Sequence, residues 1–363
     1  MGSFWSCCAN SGTGLPRIRL EMSRENYNSR IAIVGASSLR GKELRQVIEE
    51  SSFGASELVL LDTTLPPGTL AEAAGEPTFV RPMEAESFAG VRFAFFAGPS
   101  QEARANWRLA KHSGAETIDL TGALEEVGAA PWIPDLDTLL APPEPDSPHV
   151  DEPGVYSSPF PPVMISCRLA AALARFSPAR LAILFFPPAS EHEQAGVDEL
   201  ESQTTDLLLL RPVSQPVFDA QVAFNLLAGY GSASHPSIAQ MRSQIARGVA
   251  RYLSGRIASP AIQLVQAPVF YGYAFAAYTE FPGSVSLATV DEALAAAGMH
   301  VTDKSEPKPT NVSIAGETKI HIARAESDPN VSSGVWLWGA ADNLRLAAAN
   351  ALRIAEELLA LKA

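Results

Sequence analysis

The chain has 363 residues, 47% of them apolar and 18% charged, with a formal net charge of −13. That length can bury more than one core, and the acidic balance excludes non-specific binding to nucleic acid or to an anionic membrane surface. Apolar runs such as 207–210 and 182–186 are too short to span a bilayer, so a cytoplasmic protein without membrane attachment is expected.

Residues 1–29, opening MGSFWSCCANSGTG, have no long apolar core and no cleavage site of a secretory leader. They are expected to be a disordered or mis-started extension. Cys7, Cys8 and Cys167 are the three cysteines, and neither they nor the six histidines fall at metal-ligand spacing; no metal is expected. Residues 30–36, RIAIVGA, have the pattern of a buried strand ending in glycine. Gly35, Ala36, Ser37, Ser38, Leu39, Arg40 and Gly41 then form a turn into the helical pattern KELRQVIEE. Strand, glycine turn and helix make the first unit of a doubly wound sheet. Such a turn either cradles a pyrophosphate on helix-end N–H groups or is a tight turn that binds nothing. Ser38 stands where a central glycine would let phosphate approach.

A second strand, 57–61, ends at Asp62, somewhat further from the glycine turn than the roughly 20 residues usual for a ribose-binding acid. Asp62 would accept from a ribose 2′-OH and repel a 2′-phosphate, favouring NAD over NADP; otherwise it is a turn residue. A strand at 91–96 ends in Ala97-Gly98-Pro99-Ser100, a helix covers 101–112, and 117–120 reads as a further short strand. Alternating strands and helices imply a parallel sheet covered on both faces. The Pro-rich acidic segment 141–154 reads as a linker.

Beyond it, GVYSSPFPPVMISCRLAAAL (154–173) runs from a strand into a Pro-rich turn and a helix expected over 163–176. A strand is expected at 180–186, helices at 191–209 and 241–253, and strands at 263–271, 273–281, 311–314, 319–324 and 334–339. An Ala/Leu-rich helix closes the chain. The fold class expected is α/β, a Rossmann-type doubly wound parallel sheet plus a second α+β domain with a mixed, mostly antiparallel sheet.

Four segments together resemble the aspartate-semialdehyde dehydrogenase family: IAIVGASSLRGKEL, FFAGPS with GAETIDLTGAL, QAPVFYGYAFAAYTEF, and WLWGAADNLRLAAANALRIAEEL. AGVDELESQT between them is similar to another family stretch, and the resemblance covers about residues 30–363. It implies an NAD(P)-binding domain over 30–150 with 340–363, a dimerisation and former catalytic domain over 151–339, and a homodimer through the second domain, leaving room for a heteromer with a paralogue. It implies a cofactor cradle of Gly35 to Gly41, Asp62, Ala97 and Gly98, holding NAD or NADP weakly or no longer at all.

The family's nucleophilic cysteine attacks an aldehyde, hydride passes to the nicotinamide, and phosphate releases the acyl group. On this resemblance the nucleophile position is Pro161, the base histidine is Tyr273 and the substrate-binding arginine is Gln266. A proline side chain cannot be a nucleophile, a tyrosine titrating near pH 10 is a poor proton shuttle near neutrality, and glutamine lacks a charged bidentate fork. Cys167 would lie roughly 9 Å further along the helix and reads as a small buried hydrophobe. The chain thus resembles cysteine-less, inactive paralogues of the family. Two other readings stay open: an active NAD(P)-dependent semialdehyde dehydrogenase of amino-acid biosynthesis, and another enzyme class using Glu191, His192 and Glu193.

Overall fold

The computed structural model describes residues 29–53, 55–63, 70–73, 76–79, 83–137, 139–140 and 154–361. The N-terminal extension up to residue 28, with Cys7 and Cys8, lies outside them, as does most of the Pro-rich linker.

Strand β1 (Ser29–Val34) leads through the glycine turn into α1 (Leu39–Glu50) and back to β2 (Ala55–Leu61). A small antiparallel hairpin follows, β3 (Leu70–Ala73) with β4 (Glu76–Phe79). Then come β5 (Phe93–Phe96), α2 (Ser100–His112), β6 (Glu116–Asp119), β7 (Ala130–Pro131), the short α3 (Pro134–Asp137) and β8 (Val155–Ser157). The first sheet has the order β2-β1-β5-β6-β8-β7, with every pairing parallel. Its strands are apolar on both faces, as a sheet with crossover helices on each side requires. Ile31, Ile33, Phe93 and Phe95 pack on one side; Ala32, Val34, Ala94 and Phe96 pack on the other.

The second sheet is built from β9 (Arg180–Phe186), β10 (Ala261–Leu264), β11 (Tyr273–Glu280), β12 (His300–Val301), β13 (His321–Ile322), β14 (Glu326–Ser327) and β15 (Gly334–Ala341). Its helices are α4 (Pro161–Ala174), α5 (Glu193–Leu208), α6 (Ile238–Leu253) and α7 (Leu287–Ala296), and α8 (Asn343–Leu361) closes the chain. The strand order is β10-β9-β11-β15-β13-β12, with β14 on β15. β10 on β9 and β12 on β13 are parallel; the central pairings are antiparallel. The sheet is therefore mixed and mostly antiparallel, and the α/β class expected from the sequence is the one observed.

One face of this sheet carries Phe185, Tyr273, Phe275 and Leu337 into a core shared with α4, α6 and α7. Phe185 and Phe275 are both 0% exposed, and burying each is worth about 1.5–3 kcal/mol. The opposite face presents Leu184, Phe186, Ala274, Ala276, Tyr278, Trp336 and Trp338, half-buried or exposed. The Tyr278 ring lies tilted against Trp336 at 4.8 Å and Phe186 lies 6.2 Å from Trp338. Helix α8 places Ala348, Ala351, Leu352, Ile354, Ala355 and Leu358 in the core of the first sheet.

Three expected strands are corrected. The 263–271 stretch leaves the sheet after Leu264 because Gln266 pairs its backbone with Leu227 instead, and Pro268 further on has no N–H with which to rejoin the ladder. Residues 311–314 form a turn closed by reciprocal Thr310–Ser313 hydrogen bonds, and 319–324 contributes only His321–Ile322. Helix α7 had no counterpart among the expected elements. Among the described residues no helix is long and apolar enough to cross a membrane.

Candidate functional site

The glycine turn lies where the parallel strands end, the position at which this kind of sheet places ligands. The structure brings together Gly35 to Gly41, Asp62, Ala97 and Gly98. Gly35 has φ +77, and a Cβ there would lie 2.2 Å from the Gly98 Cα. The two backbones can cross so closely only because both residues lack side chains. Ser38 is the N-cap of α1: its hydroxyl accepts from the Gly41 N–H at 2.9 Å and lies 2.9 Å from the Ala97 carbonyl. This capping is typically worth about 1 kcal/mol.

Three carboxylates, of Asp62, Glu102 and Glu193, crowd the turn beside Arg40. Asp62 is 2% exposed and accepts from both the N–H (3.1 Å) and the hydroxyl of Ser37. Glu102, also buried, accepts from the Thr63 N–H at 3.0 Å, and its second oxygen finds no hydrogen bond among the described residues. Burial, more than the neighbouring Asp62, pushes its carboxyl above the usual carboxylate range. Glu193 reaches in from the start of α5. One of its oxygens accepts from the Leu39 N–H at 3.1 Å and the other pairs with Arg40 at 3.0 Å.

A pyrophosphate would rest on these same first-turn N–H groups. With Glu193 seated there and Asp62 and Glu102 behind the turn, the residues present do not fit a dinucleotide in this conformation.

The turn at which the resemblance places a nucleophile is the start of α4. Pro161 and Pro162 are its first two residues, both buried, behind an N-cap residue, Phe160, that offers no side-chain cap. Proline at N1 is readily accommodated, but two in succession delete two of the N–H groups that make a helix start a site for anions. The next two, of Val163 and Met164, are directed to the Phe160 carbonyl. Cys167 is 0% exposed in the main core, and burial pushes its thiol up to about 12; it remains protonated and inaccessible.

Gln266 and Tyr273 belong to a closed polar cluster. Gln266 is 0% exposed, donates to the carbonyls of Pro187 (3.0 Å) and Ala267 (2.8 Å) and accepts from the Tyr230 hydroxyl at 2.5 Å. Its amide hydrogens are both used, leaving no donor for a substrate carboxylate. Tyr273 is 1% exposed and hydrogen-bonds to Glu191. Desolvation, then the Glu191 charge, drives its hydroxyl well above the usual tyrosine range, while burial also raises the Glu191 carboxyl.

Asn343, at the head of α8, ties the cluster together. It accepts from the Gly272 N–H at 3.0 Å and donates to the Ser190 hydroxyl at 3.1 Å and to Glu191 at 2.9 Å. Nothing in the sequence alone marks Asn343 or Tyr230 for a role, because their partners lie far off in the chain. Among the described residues no group of His, Cys, Asp and Glu is placed to hold a metal.

His192 completes the surroundings, its ring edge-on to Phe218 (4.8 Å) and Tyr230 (5.3 Å), with a buried Nε2 that has no partner among the described residues. Desolvation lowers its titration from 6.5 to about 4. The unfolded chain therefore binds a proton between those values that the folded chain refuses, so stability falls as pH drops from 6.5 towards 4. A His192→Phe variant should lose that part of the acid sensitivity in thermal melts recorded across this range. Parallel profiles for the variant and the wild type would contradict the assignment.

The chain matches the family model described as semialdehyde dehydrogenase, NAD binding domain, over residues 30–138, and the one described as semialdehyde dehydrogenase, dimerisation domain, over 190–346. It is 30% identical over 334 residues to a USG-1 protein homolog from Pseudomonas aeruginosa, covering 91% of this chain and 97% of the relative. It is 25% identical over 347 residues to an aspartate-semialdehyde dehydrogenase from Rickettsia bellii, covering 92% and 98%. Among solved structures, a probable aspartate-semialdehyde dehydrogenase from Pseudomonas aeruginosa superposes with a TM-score of 0.79 at 29% identity, covering 91% of this chain and 98% of that one.

Proposed function

The chain belongs to the semialdehyde dehydrogenase family, and from that premise we propose that it is a dimeric member without the phosphorylating dehydrogenase activity. The observation that carries this reading is Pro161-Pro162 at the start of α4, which supplies neither a nucleophile nor N–H groups to stabilise one. Covalent aldehyde oxidation needs a lone pair at that position, a nearby base and a cationic clamp. Here those places hold a proline, a buried tyrosine bonded to Glu191, and a glutamine whose amide is fully used. The cluster of Glu191, Tyr230, Gln266, Tyr273 and Asn343 serves instead to join the second sheet to the closing helix.

The apolar outer face of the second sheet supports a homodimer through that domain, and the same face would seat a paralogue. For the cofactor, the Asp62 carboxylate supports NAD over NADP wherever a dinucleotide is admitted, since it would repel a 2′-phosphate. The test is a phosphate-dependent assay of aspartate-semialdehyde oxidation by the purified full-length protein, with NAD and with NADP. No turnover above background is expected. Turnover that disappears in a Cys167→Ser variant would overturn the proposal and make Cys167 the nucleophile.

A further inference from the structure

We infer that Glu193 is a built-in occupant of the phosphate position at the head of α1, so that the folded chain keeps its dinucleotide cradle closed with its own carboxylate. The contacts are those a phosphate would make there. One oxygen takes the Leu39 N–H at 3.1 Å, and the other faces the Arg40 guanidinium at 3.0 Å. An anion at a helix start is favoured by the unpaired N–H groups and by the macrodipole, and Glu193 satisfies both from within the chain.

The backbone supplies an independent observation. Glu193 has φ 56 and ψ −156, a region that glycine visits freely and that side-chain-bearing residues avoid. The turn before it is also pinned. The Ala189 and Ser190 N–H groups donate to the carbonyls of Val269 and Phe270 at 2.8 and 3.0 Å, and Asn343 holds both Ser190 and Glu191. Glu193 therefore projects from a fixed turn into the cradle. Asp62 and Glu102 line the same turn from behind, so a pyrophosphate would have to displace one carboxylate and lie beside two more.

The inference rests on the family's dinucleotide-type fold and is separate from the loss of thiol chemistry, because it is read by binding rather than by turnover. The experiment is calorimetric titration of NAD, NADP and ADP-ribose into the full-length wild type, Glu193→Gln and Glu193→Gly, with each protein's fold checked by circular dichroism and thermal melting. The wild type should show no saturable binding of any of the three. Glu193→Gly vacates the position and suits the positive φ, and should bind NAD and ADP-ribose at least about tenfold tighter than any wild-type signal, the scale of removing a like charge from contact with a bound anion. Glu193→Gln keeps the side-chain shape without the charge and should fall between the two. Wild-type affinity equal to that of Glu193→Gly would overturn the inference. So would a folded Glu193→Gly, or, should that variant not fold, a folded Glu193→Gln, that binds none of the three ligands.

Discussion

A Pro161→Cys protein is expected to show no phosphate-dependent oxidation of aspartate semialdehyde above the wild-type background. The new thiol would sit directly before Pro162, where a helix N–H is still missing, and would have no imidazole beside it. A depressed thiol pKa at a helix start depends on those N–H groups and on neighbouring cations. Proton transfer by a placed acid or base is worth about 10²–10⁴ in rate, and Tyr273, buried and bonded to Glu191, supplies none of it.

The triple variant Pro161→Cys, Tyr273→His, Gln266→Arg should recover only a small part of such activity, and at a cost in stability. An arginine at position 266 would bring its charge into a fully enclosed site and leave the Tyr230 hydroxyl without its acceptor, and a buried polar group left unpaired costs about 1–3 kcal/mol. The measurement is initial rates of nicotinamide reduction beside thermal melts. Robust turnover by the single variant would refute the account of the platform.

Ala276→Arg is expected to convert a dimer into a monomer. Ala276 lies in the middle of β11 on the outer face of the second sheet, paired with Leu184 on one side and Trp338 on the other. Its side chain points away from the core, so the monomer should keep its fold and its melting behaviour. A charge buried unpaired in an interface costs about 2–5 kcal/mol, so the dissociation constant should rise at least about thirtyfold. Light scattering on dilution series of both proteins decides it. A wild type that is monomeric at micromolar concentration, or a variant as dimeric as the wild type, would refute the assignment of this face.

The frame of the molecule was legible because its signals are local. RIAIVGA followed by a capped helix, and alternating residues such as those of β11, encode strand, turn and burial within a few positions. The aromatic stretch after Leu264 looks like strand because strand propensity is a surface-fitting preference, whereas here Gln266 gives its side chain to the Pro187 carbonyl and its backbone to Leu227. The resemblance alone points to Pro161, Gln266 and Tyr273 as the positions of the family's catalytic groups. It does not point to what closes the cradle. Glu193 meets Leu39 across 154 positions, and Asn343 meets Gly272 across 71; such meetings are set by tertiary packing that no local window contains. Asp62, a ribose acceptor on the sequence alone, accepts from Ser37 across 25 positions, a contact the sequence does not signal.

Helix α8 has a consequence for how the chain comes off the ribosome. It supplies part of the apolar cover of the first sheet, and Arg345 within it pairs with Glu43 across 302 positions. Until α8 has been synthesised, that face of β1, β2 and β5 is covered only in part, by Leu44, Val47 and Ile48 of α1, although the strands emerge first. Closing so long a loop adds only slowly to the entropic cost, so the finished fold is hardly penalised, but the wait is long. The nascent amino-terminal half therefore holds a half-covered stripe of isoleucine and phenylalanine through most of elongation.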